Sequence, residues 1–221
     1  MVKLGSPGLF DDPDRPTEAV GLALPGAGWA RDVLDTAPRF QALVIGPGLG
    51  TAAPTQAAVR DVLAEAKIPT VVDGDALNAL GRDAAAVLDD RSAIVLTPHD
   101  GEFERLTGAP PGPDRIGAAR QLAVRTGAVV LLKGPTTVVA GPDGRVRIVT
   151  DGDARLATAG TGDVLSGTIG ALLAGGAPAL EAAAAGAWLH ARAGVLVAHP
   201  QGLVASDLVA RLPMALAEVT A

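Results

Sequence analysis

The sequence contains no cysteine, and aromatic side chains make up only 2% of its 221 residues. The lack of cysteine excludes disulfide bonds, thiolate zinc sites and cysteine nucleophiles, and it agrees with a cytoplasmic location. Because aromatic residues are rare, the core must consist mainly of alanine, valine and leucine. With 48% hydrophobic residues and a mean hydropathy of +0.33, the chain has enough of them for a large core.

The chain also lacks a long hydrophobic run. Its first residues, MVKLGSPGLF, contain Gly5 and Pro7 where a signal peptide would need an apolar stretch. The longest uncharged apolar segment, Val164–Leu180, is short for a membrane span and contains several glycines and Pro178. We therefore predict a buried helix in this segment and no membrane association.

Positive charge is scarce as well. The formal net charge of -6 at pH 7 argues against nucleic acid or an anionic membrane as a partner. A small anion could still bind through backbone N–H groups. The length fits a single domain over residues 1–221, and the linker-like residues 11–16 lie too near the start to separate two domains. A hydrophobic chain with an incomplete sheet edge favours a homo-oligomer.

Short apolar runs alternate with helical patterns, which is typical of an α/β fold with a parallel sheet covered on both faces. The predicted strands are Ala42–Ile45, Thr70–Val72, Ala93–Thr97 and Val129–Lys133. The predicted helices between them are Pro54–Ala66, Gly101–Thr107 and Pro113–Thr126. A hairpin around GPDG and a helical C-terminus follow, with elements at Thr136–Ala140, Arg145–Val149, Thr161–Ala174, Leu180–Ala198 and Ala205–Ala217.

Five segments rich in glycine and polar residues occur where strands end, and in open parallel sheets ligands bind beyond the carboxyl ends of the strands. We therefore expect these segments to share one site. The first, VIGPGLG, places Gly46, Gly48 and Gly50 where a backbone could approach a ligand closely, although a tight strand-to-helix turn would also require them. Its spacing does not match the dinucleotide fingerprint G-x-G-x-x-G.

The next two segments carry carboxylates and a histidine. In VVDGDALNAL, Asp73 could hold a metal through water or orient a hydroxyl, whereas Asp75 is predicted to cap the helix from Ala76. In LTPHDGEFERL, His99 directly follows a strand and is a candidate for either a structural or a functional role. Glu102 could order magnesium-bound water or favour the helix N-terminus through its dipole.

The fourth segment, LLKGPTTVVA, contains one of only three lysines, against fifteen arginines. Lys133 ends an apolar strand and is followed by Gly134 and two threonines. A lysine beside hydroxyls and backbone donors suits a phosphate, although a solvated lysine at a β-turn would give the same pattern. The sequence has no G-x-x-x-x-G-K-[ST] phosphate-binding loop.

The fifth segment, LATAGTGDVLSG, runs from a glycine loop into a helix. The loop at Gly160–Gly162 would point several N–H groups at an anion, and a helix start lowers the pKa of a nearby acid. Asp163 could then take a proton from a substrate hydroxyl as that hydroxyl attacks a phosphate. A capping role for Asp163 is the alternative, and we favour it less because Thr158 and Thr161 are available as caps.

In their order along the chain, GPGLG, DGDALNAL, LTPHDGEFERL, LKGPTT and TAGTGDVLSG resemble the ADP-dependent NAD(P)H-hydrate dehydratases of the ribokinase-like superfamily. WLHARAG and ASDLVARLP near the C-terminus fit as well, so the match runs from about Gly46 onwards. The sequence TPH at residues 97–99, rather than TPN, favours the dehydratases over the related thiazole kinases. The resemblance implies a ribokinase-like α/β fold, with a mostly parallel central sheet, helices on both faces and a helical C-terminus.

The resemblance also implies a reaction. The S-epimer of NADH or NADPH hydrate would lose water while the co-substrate ADP becomes AMP and phosphate, through phosphorylation of the ring hydroxyl and then elimination. This chemistry repairs damaged nicotinamide nucleotides. Mg²⁺ would bridge the phosphates, and an NAD(P)H-hydrate epimerase would be a partner.

Residue roles follow from the same resemblance. Asp163 would deprotonate the substrate hydroxyl, Gly160 and Gly162 would hold the transferring phosphoryl group, and Gly48 and His99 would contact the hydrate. The AMP part would be contacted by Lys133, Gly134, Pro135, Thr136, Thr137 and Gly162. Glu102 would lie in the outer shell of the magnesium ion.

The chain departs from the family pattern in two places. The family usually opens with a further strand and a Gly/Ala-rich helical segment that lines the substrate pocket, and we expect this part to be truncated or to lie on another chain. The family sequence G-N-P-G reads here as GDAR; Asp153 in place of asparagine and Arg155 in place of glycine should change the shape of the loop. A small-molecule kinase of the same superfamily and a non-catalytic nucleotide-binding remnant are the alternative functions.

Overall fold

The computed structural model describes residues 1–9, 16–88, 93–199 and 201–220. Of the linker-like stretch at residues 11–16, only Pro16 lies within the described residues. The central feature is a six-stranded sheet whose strands lie side by side in chain order. Its strands are β3 (Leu43–Ile45), β4 (Thr70–Val72), β5 (Ile94–Leu96), β6 (Val129–Leu132), β7 (Thr137–Ala140) and β8 (Val146–Val149). A separate parallel pair precedes it, formed by β1 (Val2–Pro7) and β2 (Ala19–Leu24).

The central sheet is mostly parallel, as predicted. Strands β3 to β6 run parallel, whereas β7 and β8 form an antiparallel hairpin at one side. Every residue of β4, β5 and β6 is buried. Their uninterrupted valine, isoleucine and leucine runs suit strands that are covered on both faces.

Helices cover both faces of this sheet. They are α1 (Ala30–Thr36), α2 (Ala53–Glu65), α3 (Gly74–Leu80), α4 (Ala84–Val87), α5 (Asp100–Thr107), α6 (Arg115–Thr126), α7 (Thr161–Ala174), α8 (Ala179–Val195) and α9 (Ala205–Thr220). Because each parallel strand lies beside the preceding one, right-handed crossovers put the connecting helices on one face. One core joins α2, α3, α5 and α6 to the sheet, and a second core joins α7 and α8 to its other face. Helix α9 packs outside α8.

This order of elements confirms the predicted α/β fold, with a mostly parallel sheet and helices on both faces. The carboxyl ends of β3 to β6 meet at one edge, where the polar segments singled out in the sequence begin. The sequence did not predict β1, β2, α1 or α4. Within the part of the chain that the structure describes, no helix is long and apolar enough to cross a membrane.

Candidate active site at the carboxyl edge of the sheet

The loop after β3 is locked against the loop after β4. Gly46 has φ +129°, and a Cβ there would overlap the carbonyl oxygen of Asp73, so only glycine fits. The Asp73 amide donates to Ile45 O at 3.1 Å. The predicted cap role of Asp75 is wrong: Asp73 occupies the N-cap position of α3, and Asp75 Oδ2 accepts from the Gly50 amide at 2.7 Å. The carboxylate therefore holds the glycine loop and does not cap its own helix.

A buried polar cluster lies beneath this edge. Lys133 Nζ donates to Asp73 Oδ1 at 2.9 Å and lies 3.5 Å from Glu102 Oε2. Ser166 Oγ donates to Asp73 Oδ2 at 2.7 Å, which ties α7 to the end of β4. Both carboxylates are buried, so pairing with the ammonium offsets their loss of hydration. Lys133 is thus not a freely solvated turn lysine.

His99 and Glu102 close the start of α5. His99 Nδ1 accepts from the Gly101 and Glu102 amides at 3.0 and 3.3 Å, and Glu102 Oε2 accepts from the His99 amide at 2.9 Å. This reciprocal arrangement is a capping box. Because Nδ1 accepts, the neutral ring carries its proton on Nε2. The structural role of His99 is established, and its contact with the hydrate stays a prediction.

The start of α7 has no such closure. Its N-cap residue is Gly160, with φ +83° and no side chain. Among the described residues, the amides of Gly162 and Asp163 donate to no group, and the Asp163 carboxylate makes no hydrogen bond or salt bridge. Asp163 is therefore not a helix cap. The open amides at a helix N-terminus are suited to bind an anion.

The expected lowering of the pKa of Asp163 is wrong. Its side chain is accessible to solvent, yet partial burial raises its pKa, and the negative charge of Asp73 raises it further. Lys133 acts in the opposite direction but does not reverse the shift. The helix start alone therefore does not set the proton affinity of this acid.

The expected capping by two threonines is also wrong. Thr158 Oγ1 donates to Arg155 O, and Thr161 Oγ1 donates to the carbonyl oxygens of Leu156 and Thr158. Both hydroxyls thus hold the loop before α7 and leave its amides uncapped. The altered GDAR sequence forms a turn of its own, a 3-10 helix at Ala154–Leu156 that Asp153 caps.

The segment from Lys133 to Thr137 lies at the same edge. The Lys133 amide donates to Pro98 O at 2.8 Å, and Gly134 and Pro135 are exposed. Arg115, which the sequence reasoning missed, donates to Lys133 O at 2.7 Å and to Asp100 Oδ1 at 2.8 Å. Contact of this segment with AMP stays a prediction.

The predicted site residues therefore meet at one edge, around Lys133 and the start of α7. A Cβ built on Gly162 would lie 3.8 Å from Asp73 Oδ2 and 3.9 Å from Lys133 Nζ. Gly48 has open space around it, at φ +69°. Ser166 was missed, although a serine in an otherwise apolar helix is a signal that could have identified it.

Magnesium does not fit a site made by these side chains alone. Within the described residues there is no group of three or more potential metal ligands. Glu102 Oε2 already accepts from the His99 amide and faces Lys133, so this oxygen could meet a cation only through water. The outer-shell assignment of Glu102 is compatible with that arrangement and stays a prediction.

Comparison with known proteins shows the family of the chain. The family model described as NAD(P)H-hydrate dehydratase matches residues 18–213. The bifunctional NAD(P)H-hydrate repair enzyme Nnr of Mycobacterium tuberculosis is 52% identical over 110 residues, which are 50% of this chain and 23% of the relative. The matched region thus spans about a quarter of that relative's length.

Solved structures show the same fold. The ADP/ATP-dependent NAD(P)H-hydrate dehydratase of Bacillus subtilis, co-crystallised with ATP and Mg²⁺, superimposes with a TM-score of 0.78 at 31% identity, over 91% of this chain and 72% of that one. A ribokinase-like superfamily protein of Enterococcus faecalis gives a TM-score of 0.79 at 25% identity, over 91% and 70% of the two chains.

Proposed function

Because this chain belongs to the NAD(P)H-hydrate dehydratase family, we propose that it catalyses the ADP-dependent dehydration of the S-epimer of NAD(P)H hydrate. The products are NAD(P)H, AMP and phosphate. The observation that carries the proposal is the open start of α7, where two unpaired amides and the unpaired carboxylate of Asp163 lie near Lys133. The nucleotide dependence of the B. subtilis relative supports ADP as the co-substrate.

Asp163 acts as the general base in the first step. It accepts the proton of the ring hydroxyl while the hydroxyl oxygen attacks the β-phosphorus of ADP. The new P–O bond forms as the bond between that phosphorus and the AMP oxygen breaks, so AMP leaves. The raised pKa makes Asp163 a stronger base than an ordinary carboxylate.

Elimination completes the reaction. The C–O bond of the phosphorylated intermediate breaks, phosphate leaves with the electron pair, and the neighbouring ring carbon loses a proton to form the double bond of NAD(P)H. In sum, hydrate and ADP give NAD(P)H, AMP and phosphate. The water removed from the hydrate is thereby the water formally added to ADP.

The transferring phosphoryl group would bind at the glycine loop Gly160–Gly162, on the open amides of Gly162 and Asp163. Lys133 cannot balance its charge alone, because Asp73 and Glu102 already face the ammonium. The backbone amides therefore carry most of the anion binding. We assign the segment from Lys133 to Thr137 to the AMP part, and Gly48 and the Nε2–H of His99 to the hydrate.

Magnesium, when bound to the nucleotide, would neutralise part of the charge on the phosphates. Glu102 would orient a water molecule of its outer shell. The surplus of carboxylates over cations around Lys133 is compatible with a nucleotide that arrives with a divalent cation. The epimerase partner and the homo-oligomer belong to the same proposal.

A pair of matched variants tests the base assignment. Asp163→Asn should reduce the rise of absorbance at 340 nm and the release of AMP by about 10²- to 10⁴-fold while ADP binding by calorimetry is retained. Asp32→Asn is the control, because Asp32 holds the third position of α1 as Asp163 does in α7. It should keep full activity.

Each other outcome has a defined meaning. If Asp163→Asn retains turnover, Asp163 is not the base. If the unaltered chain accumulates a phosphorylated product without forming NADH, it is a kinase. If it binds ADP and forms neither, it is a nucleotide-binding remnant and the proposed function is wrong.

A further inference from the structure

The loop before α7 is anchored on the C-terminal end of α8 by one arginine. Arg155 Nη1 donates to Val197 O at 3.2 Å and to His199 O at 2.8 Å, and Nη2 donates to Gly194 O at 3.1 Å. The last carbonyl groups of a helix have no partner within the helix and carry partial negative charge. The guanidinium therefore ties Gly194 O, in the last turn of α8, to Val197 O and His199 O in the segment that follows the helix.

Asp153 fixes the orientation of this guanidinium. Its Oδ2 accepts from Arg155 Nη2 at 2.8 Å and its Oδ1 from Nε at 3.1 Å. The hydrogen bond from Arg155 lowers the pKa of Asp153, so the pair stays charged. The arginine side chain is only 23% exposed. Asp153 and Arg155 thus act together.

A chain of hydrogen bonds leads from this anchor to the open amides. Arg155 O accepts from Thr158 Oγ1 at 2.9 Å, and Thr158 O accepts from Thr161 Oγ1 at 2.7 Å. Thr161 is the first residue of α7 and directly precedes Gly162. A displacement of Arg155 would therefore move the backbone that forms the proposed phosphoryl site.

Helix α8 holds the start of α7 at a second point. His190 Nε2 lies 2.9 Å from Thr161 O, and the ring is buried. Since a carbonyl oxygen only accepts, Nε2 must carry the proton. Burial lowers the pKa of His190, so the ring is held neutral. Leu156 packs between these points, where a Cβ on Gly194 would lie 2.7 Å from Leu156 Cδ2.

We infer that Arg155 is a positioning residue that fixes the phosphoryl-binding amides of α7 onto α8. The inference rests on the proposed function for the identity of the ligand. Arg155 acts through Thr158 and Thr161 and does not itself touch the reacting atoms.

The test compares Arg155→Ala with Arg192→Ala. Arg192 lies on α8 and makes a two-pronged salt bridge to Glu218, at 2.6 and 2.9 Å; among the described residues it makes no hydrogen bond to residues 152–163. Arg155→Ala should increase hydrogen exchange of the Leu156, Ala157 and Thr161 amides, which are hydrogen-bonded within the loop, by about tenfold or more, because the loop then opens locally. Arg192→Ala should leave these amides unchanged. This readout needs no substrate, so it stands apart from the proposed reaction.

Kinetics then separate positioning from general stability. In Arg155→Ala we expect kcat to fall about tenfold to a hundredfold with KM for ADP within about threefold, since a misplaced donor weakens the transition state most. Added guanidinium should restore part of kcat in Arg155→Ala and none in Arg192→Ala. Arg155→Lys keeps the charge with fewer donors and should give an intermediate kcat, which serves if the alanine variant does not fold.

Two results would overturn the inference. One is unchanged exchange of the Leu156, Ala157 and Thr161 amides in both Arg155 variants. The other is a kcat that falls equally in Arg155→Ala and Arg192→Ala. If the unaltered chain forms no NADH while the exchange result is as expected, the proposed reaction is wrong and the anchoring of the loop is right.

Discussion

Helices α5 and α7 begin at the same edge of the sheet with nearly the same sequence pattern, but the start of α5 is capped and the start of α7 is open. Each has a glycine at its second position and an acid at its third, Gly101 and Glu102 in one and Gly162 and Asp163 in the other. In α5 the N-cap His99 and Glu102 close the helix start. In α7 the N-cap is a glycine, and the amides and the acid stay open.

This difference shows that the N-cap residue determines whether the start of a helix stabilises the helix or remains available to bind an anion. A capped start stabilises its own helix by about 1 kcal/mol. An uncapped start forgoes that stabilisation and keeps its amides available for an anion. The ion pair of the buried Asp73 and the partly exposed Lys133 lies between the two helix starts and serves both, because the ammonium faces Glu102 and the proposed phosphoryl site.

The largest expected effect comes from removing the ammonium that lies between these helices. Lys133→Met leaves two buried carboxylates without their cation, and we expect a loss of about 3 to 5 kcal/mol in the free energy of unfolding, together with undetectable turnover. Denaturant titration measures the first effect. Lys67→Met, at an exposed lysine, is the control and should change neither. A stable Lys133→Met protein would contradict the role given to this cluster.

The next largest effect is expected from alanine at Gly162, and the equivalent change at Gly101 is its control. A Cβ at Gly162 would make only ordinary contacts, so Gly162→Ala should fold, but its methyl group would crowd the anion site and lower kcat about tenfold to a hundredfold. Gly101→Ala places a Cβ 3.1 Å from His99 Cε1 at the closed start and should change kcat by less than about twofold. Equal kinetic losses in both variants would remove the distinction between the two helix starts.

A third, smaller effect is expected when the capped start of α5 loses its cap. His99→Ala removes the acceptor for two amides and should cost about 1 kcal/mol in the free energy of unfolding. His99→Asn restores a good N-cap and should recover most of this stability. KM for the hydrate then reports the second proposed role of His99, since asparagine restores the cap but not the ring N–H. Unchanged KM in His99→Asn would rule out a contact with the hydrate.

The smallest effect is a shift in pH dependence. A base works only when deprotonated, so kcat/KM falls as the pH drops through the pKa of Asp163. Because burial and Asp73 raise that pKa, this acid limb should lie above the range of an ordinary carboxylate. Asp73→Asn removes the negative charge that raises this pKa, so the fall of kcat/KM should move to lower pH. Ser166→Ala leaves the charge of Asp73 in place and should not move it. A limb that moves upward in Asp73→Asn would contradict the assignment.

Much of the fold was predictable because its strands are compact apolar runs. Thr70–Val72 and Thr161–Ala174 have the predicted bounds, and the other predicted elements differ from the structure by up to three residues at an end. The pair β1 and β2 was missed because VKLGSP and AVGLAL contain glycine and proline, which weaken a strand pattern.

Less of the site's energetics could be predicted. The sequence placed Asp73, Lys133 and Asp163 at one edge, since the carboxyl ends of parallel strands meet there. It could not show that Ser166 binds Asp73, because 93 residues separate them. It also gave the wrong direction for the pKa of Asp163, because partial burial and a distant charge outweigh the helix start, and neither is visible in the local sequence.

The most direct test of the central claim, that the open start of α7 supports a dehydration driven by ADP, is absorbance at 340 nm. The unaltered chain is mixed with NADH hydrate and Mg²⁺, with and without ADP, and AMP is measured in parallel. The account predicts a rise that requires ADP and matches the AMP formed one for one. NADH formation without ADP, or no NADH despite bound ADP, would contradict it.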